Sequence, residues 1–291
     1  MSALSSSRRS FLRLLGISAI AGTLSETMLH ASVKRKARLG IQLYTVRKAI
    51  ETDFDSTIRR VAKTGFSGIE TYALPESVSL DHAAKTFKSV GLQVLGMHVE
   101  LPVGDKRETA LRQADAYECD RVIYPGWPES EKYKGLDAIK HTIGIYNETA
   151  AFLKTRGLRF GLHNHWWEFE NTAGFRPFYY LLKHVEPSIF FEIDTYWAKT
   201  AGGDPAKIVH DFGKRAPLLH IKDGPAVKGD AANRQVPAGE GVMDFGAIAT
   251  AGAGNTEWWI VEFDEYDKDI FDGIRQSYQY LSSKGYAVGK V

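Results

Sequence analysis

Phe160-Gly161-Leu162-His163, Phe191-Glu192-Ile193-Asp194, Pro217-Leu218-Leu219-His220 and Trp259-Ile260-Val261-Glu262 are four short apolar runs, each ending on a side chain that can bind a divalent metal. One such ending carries little weight, because a lone strand-end Asp commonly caps the next helix. Here four occur in succession, 31, 26 and 42 residues apart. That is the pattern expected when successive parallel strands each deliver one ligand to a common point.

Working outward from these runs, the chain alternates strand-like and helix-like segments from residue 37 onward, the mark of βα units and a parallel sheet. Strands are expected at 39–46, 68–72, 92–99, 121–124, 158–163, 188–194, 217–221 and 258–263. Helices are expected at 53–64, 80–90, 106–117, 135–155, 174–185, from about 204 onward, at 245–251 and at 270–284. Gly65, Gly91, Gly157 and Gly285 stand where helices should stop. Asp204-Pro205 reads as a cap followed by proline in the first turn. Eight βα pairs in about 250 residues predict an α/β fold of the (β/α)8 TIM barrel type. A doubly wound open sheet is the competitor, but the turn after its first strand is usually glycine-rich, and Tyr44-Thr45-Val46-Arg47-Lys48 holds no glycine.

The 291 residues are 44% hydrophobic and 25% charged with a formal net charge of +2, a globular composition with no block of like charge to suggest a nucleic-acid partner. The single cysteine, Cys119, excludes an internal disulfide framework and a cysteine-rich zinc site. Residues 1–31 read as a separate leader. Ser7-Arg8-Arg9-Ser10-Phe11-Leu12 is a twin-arginine pattern, and the weakly apolar stretch 14–24 after it is too short to span a bilayer. It looks like a Tat export signal. The expectation is an exported, periplasmic protein, membrane-tethered if the leader is not removed, whose barrel occupies 37–285.

In a barrel the carboxyl ends of the strands carry the site. His163, Asp194, His220 and Glu262 should therefore meet, and two imidazoles with two carboxylates suit Mn, Co, Fe or Zn better than an all-oxygen cage, Mg being the remaining choice. The loop His163-Asn164-His165-Trp166-Trp167-Glu168 adds a rival. Strand alternation favours His163 as the first ligand, whereas charge balance favours Glu168, and both readings stay open. Gln42, Tyr44, Glu70, His98, Glu100, His165, Trp197, Lys222 and Glu240 are candidate substrate contacts. Lys222, two residues after His220, shares its face under strand alternation and could stabilise an enolate oxygen.

Leu39-Gly-Ile-Gln-Leu-Tyr-Thr-Val-Arg47, Leu162-His-Asn-His-Trp-Trp-Glu-Phe169, Glu192-Ile-Asp-Thr-Tyr-Trp197, Leu219-His-Ile-Lys-Asp223, Gly239-Glu-Gly-Val-Met-Asp-Phe245 and Ile260-Val-Glu262 together resemble the sugar phosphate isomerase/epimerase proteins of the xylose isomerase-like TIM barrel superfamily. The resemblance runs through residues 37–285. It implies a divalent metal held by strand-end Glu, Asp, His and Glu, with Asp194, His220 and Glu262 matching the last three and His163 standing where many relatives have the first Glu. In the ketose epimerases of this superfamily two metal-bound glutamates exchange a proton with the substrate. Here Glu262 matches one of them, and Glu168 or His163 is the candidate for the other. Trp197 replaces the further histidine of the DNA-repair branch, which argues against a nucleic-acid substrate.

The function expected is metal-dependent isomerisation or epimerisation of a sugar or keto sugar through an enediolate. The alternative is a lyase or dehydratase on the same site, of the inosose dehydratase or 3-keto-glycoside β-elimination type. A non-catalytic sugar-binding barrel is the reading outside enzymology. The expected partner is a small carbohydrate, with no stable membrane insertion beyond the leader and a homodimer as the assembly to look for.

Overall fold

A computed structural model describes residues 36–126, 131–172 and 174–290. The expected leader, 1–31, lies outside the described residues. In chain order the elements are β1 (Ala37–Gln42), α1 (Arg47–Thr52), α2 (Phe54–Thr64), β2 (Gly68–Thr71), α3 (Leu80–Ser89), β3 (Gln93–His98), α4 (Lys106–Tyr117), β4 (Arg121–Tyr124), α5 (Leu136–Lys154) and β5 (Arg159–His163). There follow α6 (Pro177–His184), β6 (Phe190–Asp194), α7 (Thr195–Thr200), α8 (Pro205–Phe212), β7 (Leu218–Ile221), α9 (Phe245–Gly252), β8 (Trp258–Val261), α10 (Ile270–Ser283) and β9 (Ala287–Val288). Each of β1 to β8 pairs in parallel with the next, and β8 closes onto β1. The sheet is the (β/α)8 barrel, with β9 added in parallel beside the start of β1.

Local readings change at several points, and α1 and β9 are additions to the expected elements. The strand expected at 39–46 ends at Gln42, and Leu43–Val46 is a tight 3-10 turn leading into α1. The Gln42 side chain closes that turn by accepting from the Tyr44 amide at 3.1 Å, while Leu43 and Val46 stay buried and so mimic a continuing strand. The helix expected from 174 starts at Pro177, whose fixed φ suits a first turn. The helix α7 was not expected at all. It begins because Asp194, the last residue of β6, caps it by accepting from the Trp197 amide at 2.9 Å.

Strand alternation sorts the barrel interior into levels. Leu95, Ile123, Phe190, Leu218, Trp258 and Ile260 form an apolar cluster separate from the main core between strands and helices. Glycines make room for its large members. A Cβ on Gly161 would run into the Phe190 ring, and one on Gly68 would lie 2.9 Å from the Trp258 indole. Toward the carboxyl ends the same inward faces become charged: Phe190 gives way to Glu192 and Asp194, Leu218 to His220 and Lys222, and Ile260 to Glu262. The apolar floor thus holds a polar site at one end of the barrel.

Candidate active site

The strand ends are locked in register before any side chain is placed. Asn164, just after β5, accepts from the Asp194 amide at 2.9 Å and donates to the Asp194 carbonyl at 3.2 Å. Thr195 Oγ1 donates to the His220 carbonyl at 2.9 Å, tying β6 to β7. These bonds fix the relative heights of His163, Asp194 and His220.

His220 is the centre of the site, wholly buried and bonded through both ring nitrogens. Its Nδ1 lies 2.6 Å from Glu262 Oε2, and its Nε2 lies 2.7 Å from Glu70 Oε2 and 3.2 Å from Glu192 Oε2. On the Nδ1 side, the Lys222 ammonium is 2.9 Å from Asp194, 2.9 Å from Glu262 and 2.8 Å from Asp264. On the Nε2 side, His98 Nε2 reaches Glu192 at 2.6 Å and Glu70 at 3.1 Å, and His163 Nδ1 reaches Glu192 at 3.0 Å. Gln42 donates to Glu70 at 2.7 Å.

Two groups of donor atoms are each compact enough for a single ion: Asp194, His220 and Glu262 form one, and His98, His163, Glu192 and His220 the other. The donor chemistry fits a borderline divalent metal, which takes imidazole and carboxylate together. A second observation agrees with the fit. Glu70 Oε1 and Glu192 Oε1 are buried and have no hydrogen-bond partner among the described residues.

Burial and charge set the protonation pattern. Burial would lower the His98 pKa, but Glu70 and Glu192 push it up to about 10, and the same opposition holds His220 well above the ordinary histidine range. His163 goes the other way: burial, reinforced by His220 and His98, holds it well below that range and leaves it neutral. Burial raises Asp194 to about 6 against the pull of Lys222 and His220. For Glu262 burial also raises, but Lys222 and His220 overcome it and keep the carboxylate ionised.

Of the residues expected at the site, His163, Asp194, His220, Glu262, Lys222, Glu70, His98 and Gln42 are brought together. Trp197 borders them, its ring carrying the Lys222 ammonium 5.3 Å from its centroid. Glu168 is not brought to the cluster. It is buried beside Gly126 and accepts from the His165 amide at 2.8 Å, so its carboxylate folds its own loop. His165 stacks on Trp167 at 4.3 Å and meets His163 edge-on at 5.3 Å. Tyr44 is partly exposed at the rim against Tyr72. Glu100 is exposed and paired with Lys106, and Glu240 is exposed, so neither joins the group.

Two members escaped sequence reasoning, Glu192 and Asp264. For Glu192 the signal was present, since it lies two residues before Asp194 on β6 and so shares its strand face; Asp264 lies past the end of β8. A carboxylate inside the run Phe190-Phe191-Glu192-Ile193 is also out of place in a buried strand without a partner. Asp223 was missed in another role: its carboxylate accepts from the amides of Gly224, Gly239, Gly241 and Met243 at 2.8–3.2 Å and folds the loop after β7 around itself.

Fold and site together define a (β/α)8 barrel with its polar groups gathered at the carboxyl mouth, the place where such barrels do chemistry. The family model of the xylose isomerase-like TIM barrel matches residues 58–284, and the chain belongs to that family. No curated protein matches the sequence significantly. Among solved structures, a sugar phosphate isomerase/epimerase from Parabacteroides distasonis ATCC 8503 aligns with a TM-score of 0.71 at 22% identity, over 88% of this chain and 97% of that one. A probable 3-DHS dehydratase from Bacillus anthracis aligns at 0.68 and 13% identity, over 84% and 98%. An L-ribulose 3-epimerase aligns at 0.66 and 16% identity, over 85% and 94%. At these identities the likeness is one of fold.

Proposed function

We propose that the protein is a divalent-metal-dependent isomerase or epimerase of a sugar or keto sugar, working through an enediolate in an exported setting. The observation that carries the reading is the meeting of Asp194, His220 and Glu262 from three successive strands, with a buried ammonium, Lys222, against both carboxylates. The names of the structural neighbours, an isomerase/epimerase and a 3-epimerase, support the reaction class, and the Arg8-Arg9 leader supports export.

Asp194, His220 and Glu262, with neutral His163 beside them, would hold the metal, which when bound supplies Lewis-acid polarisation of a substrate carbonyl. The chain's own groups do the rest. Glu262, kept ionised by Lys222 and His220, takes the proton from the carbon next to the carbonyl, and the electron pair moves onto the carbonyl oxygen. Lys222 offsets the charge that develops there. Return of that proton by Glu262 to the neighbouring carbon, with a hydroxyl proton passing between the two oxygens, completes an isomerisation; protonation of the original carbon from its opposite face by a solvent proton, with Glu262 giving its own proton back to solvent, completes an epimerisation. The strand-end walls, with Trp197 against Lys222, limit the water around these charges.

A panel of keto sugars tests the reading, with the chelator-stripped protein as blank and Mn²⁺ or Co²⁺ as the restoring ion. Glu262→Gln should lower kcat by about 100- to 10,000-fold. Full turnover in excess chelator, or unchanged turnover in both Glu262→Gln and Asp194→Asn, would overturn the mechanism. Binding without turnover would make the protein a sugar-binding barrel. A lyase is the second reading, because the Lys222 ammonium could protonate a departing β-oxygen and one structural neighbour is named a probable dehydratase. Release of an aglycone from a 3-keto-glycoside would move the assignment there.

A further inference from the structure

We infer that Glu70, His98, Glu192 and His220 form a divalent-cation site of their own, on the Nε2 side of His220 and apart from the Asp194 and Glu262 carboxylates. The inference rests on the metal-dependent reading above and extends it to a ligand set drawn from β2, β3, β6 and β7.

The four donor atoms close a ring. His98 Nε2 to Glu192 Oε2 is 2.6 Å, Glu192 Oε2 to His220 Nε2 is 3.2 Å, His220 Nε2 to Glu70 Oε2 is 2.7 Å, and Glu70 Oε2 to His98 Nε2 is 3.1 Å. Ligand atoms held about 2.0–2.2 Å from one ion lie roughly 3.0–3.4 Å apart in square or tetrahedral arrangements. The ring therefore needs to open by only a few tenths of an ångström to accept an ion. His163 Nδ1, 3.0 Å from Glu192 Oε2, stands ready as a fifth nitrogen.

Three further features point to a cation. First, Glu70 and Glu192 are both fully buried, and each keeps one oxygen without a hydrogen-bond partner among the described residues. Two buried carboxylates are costly unless positive charge faces them, and here that charge comes from imidazoles alone. A dication supplies the same charge as two protonated rings and leaves the imidazoles neutral, as ligands must be. Second, His220 presents Nε2 to the ring while Nδ1 faces Glu262 at 2.6 Å. The Glu262 contact fixes the orientation of the imidazole and so aims Nε2 at the other ring donors. Third, the ammonium nearest the ring, Lys222, contacts Asp194, Glu262 and Asp264 and neither ring carboxylate. No lysine or arginine contacts Glu70 or Glu192 within salt-bridge distance among the described residues; their ionisable partners are histidines, and Gln42 donates to Glu70. The way in passes His98, whose side chain keeps 11% of its exposure while the other three donors are closed off.

The test is metal stoichiometry and affinity, by elemental analysis and calorimetry, on the chelator-stripped full chain titrated with Zn²⁺, Co²⁺ or Mn²⁺ alone. His98→Ala and Glu192→Gln should each lose one equivalent, or weaken its binding by on the order of 100-fold. Asp194→Asn should keep that equivalent. An anomalous difference peak within about 2.3 Å of His98 Nε2 and His220 Nε2 is the crystallographic counterpart. Circular dichroism establishes that each variant is folded, and Glu192→Gln, the isosteric change, decides if His98→Ala is not. Wild-type stoichiometry and affinity in both ring variants would overturn the inference and make the ring a hydrogen-bonded scaffold. That outcome is separate from failure of the functional reading, which shows as absent or chelator-resistant turnover by a protein whose metal content is normal.

Discussion

The ammonium of Lys222 stands 2.9 Å from the carboxylate of Asp194, and both side chains are buried. Neither charge could be left alone there, because an ion taken out of water needs its counter-charge within contact distance. The pair also joins two strand ends, β6 and β7, at the centre of the mouth.

Removing one partner of such a pair strands the other. Lys222→Met should therefore destabilise the metal-free protein by about 3–5 kcal/mol, measured by urea unfolding in chelator. A loss well under 1 kcal/mol would mean that Asp194, Glu262 and Asp264 are adequately compensated without the ammonium.

The floor of the barrel gives a packing prediction. Gly161 faces the Phe190 ring with no room for a methyl group, so Gly161→Ala should cost about 1–3 kcal/mol through overpacking. Phe190→Leu in the same chain should recover part of that loss. A double-mutant cycle with no coupling between the two positions would show that the barrel relaxes elsewhere.

Asp223 gathers four backbone amides of the loop after β7. Asp223→Ala leaves those donors without their acceptor, at a cost of about 1–3 kcal/mol. Hydrogen exchange should accelerate at Gly239, Gly241 and Met243 while the strand amides of β7 and β8 stay protected. Equal acceleration across the barrel would show a global effect instead of a local one.

Cys119 is buried, and burial pushes its thiol up to about 11. Since the thiolate is the reactive form, iodoacetamide at pH 8 should label the folded protein negligibly and the urea-unfolded chain fully. The sign of the stability effect follows. Between about 8.5, the unfolded thiol value, and about 11 the unfolded chain gives up a proton that the folded chain keeps, so stability falls as pH rises through that window. Rapid labelling of the native state at pH 8 would contradict the burial of this side chain.

How far the sequence could be read depended on the range of the interaction involved. The eight βα units were legible because strand and helix leave different local periodicities, and the glycines after α2 and α5 mark real helix ends. The end of β1 was not. Leu43 and Val46 are buried in either conformation, so hydrophobicity could not reveal the Gln42 side-chain bond that turns the chain into a 3-10 helix. Glu168 was hard to place for a similar reason: its charge suited a metal, and no local pattern showed that the amide of His165, three residues away, donates to one of its carboxylate oxygens.

The amino-acid sequence by itself determined the barrel and the residues at its strand ends, since both follow from short-range pattern and from the rule that parallel strands point their carboxyl ends the same way. Only the tertiary structure decided which donor atoms meet. Glu70 and His220 lie 150 residues apart and touch at 2.7 Å, a contact set by barrel closure, by the register shift between β2 and β3, and by side-chain direction. Those are properties of the closed sheet, and no local stretch of chain encodes them. Glu192 and Asp194 stand two residues apart on β6, and closure decides which partners each meets: His98, His163 and His220 for Glu192, and Lys222 for Asp194.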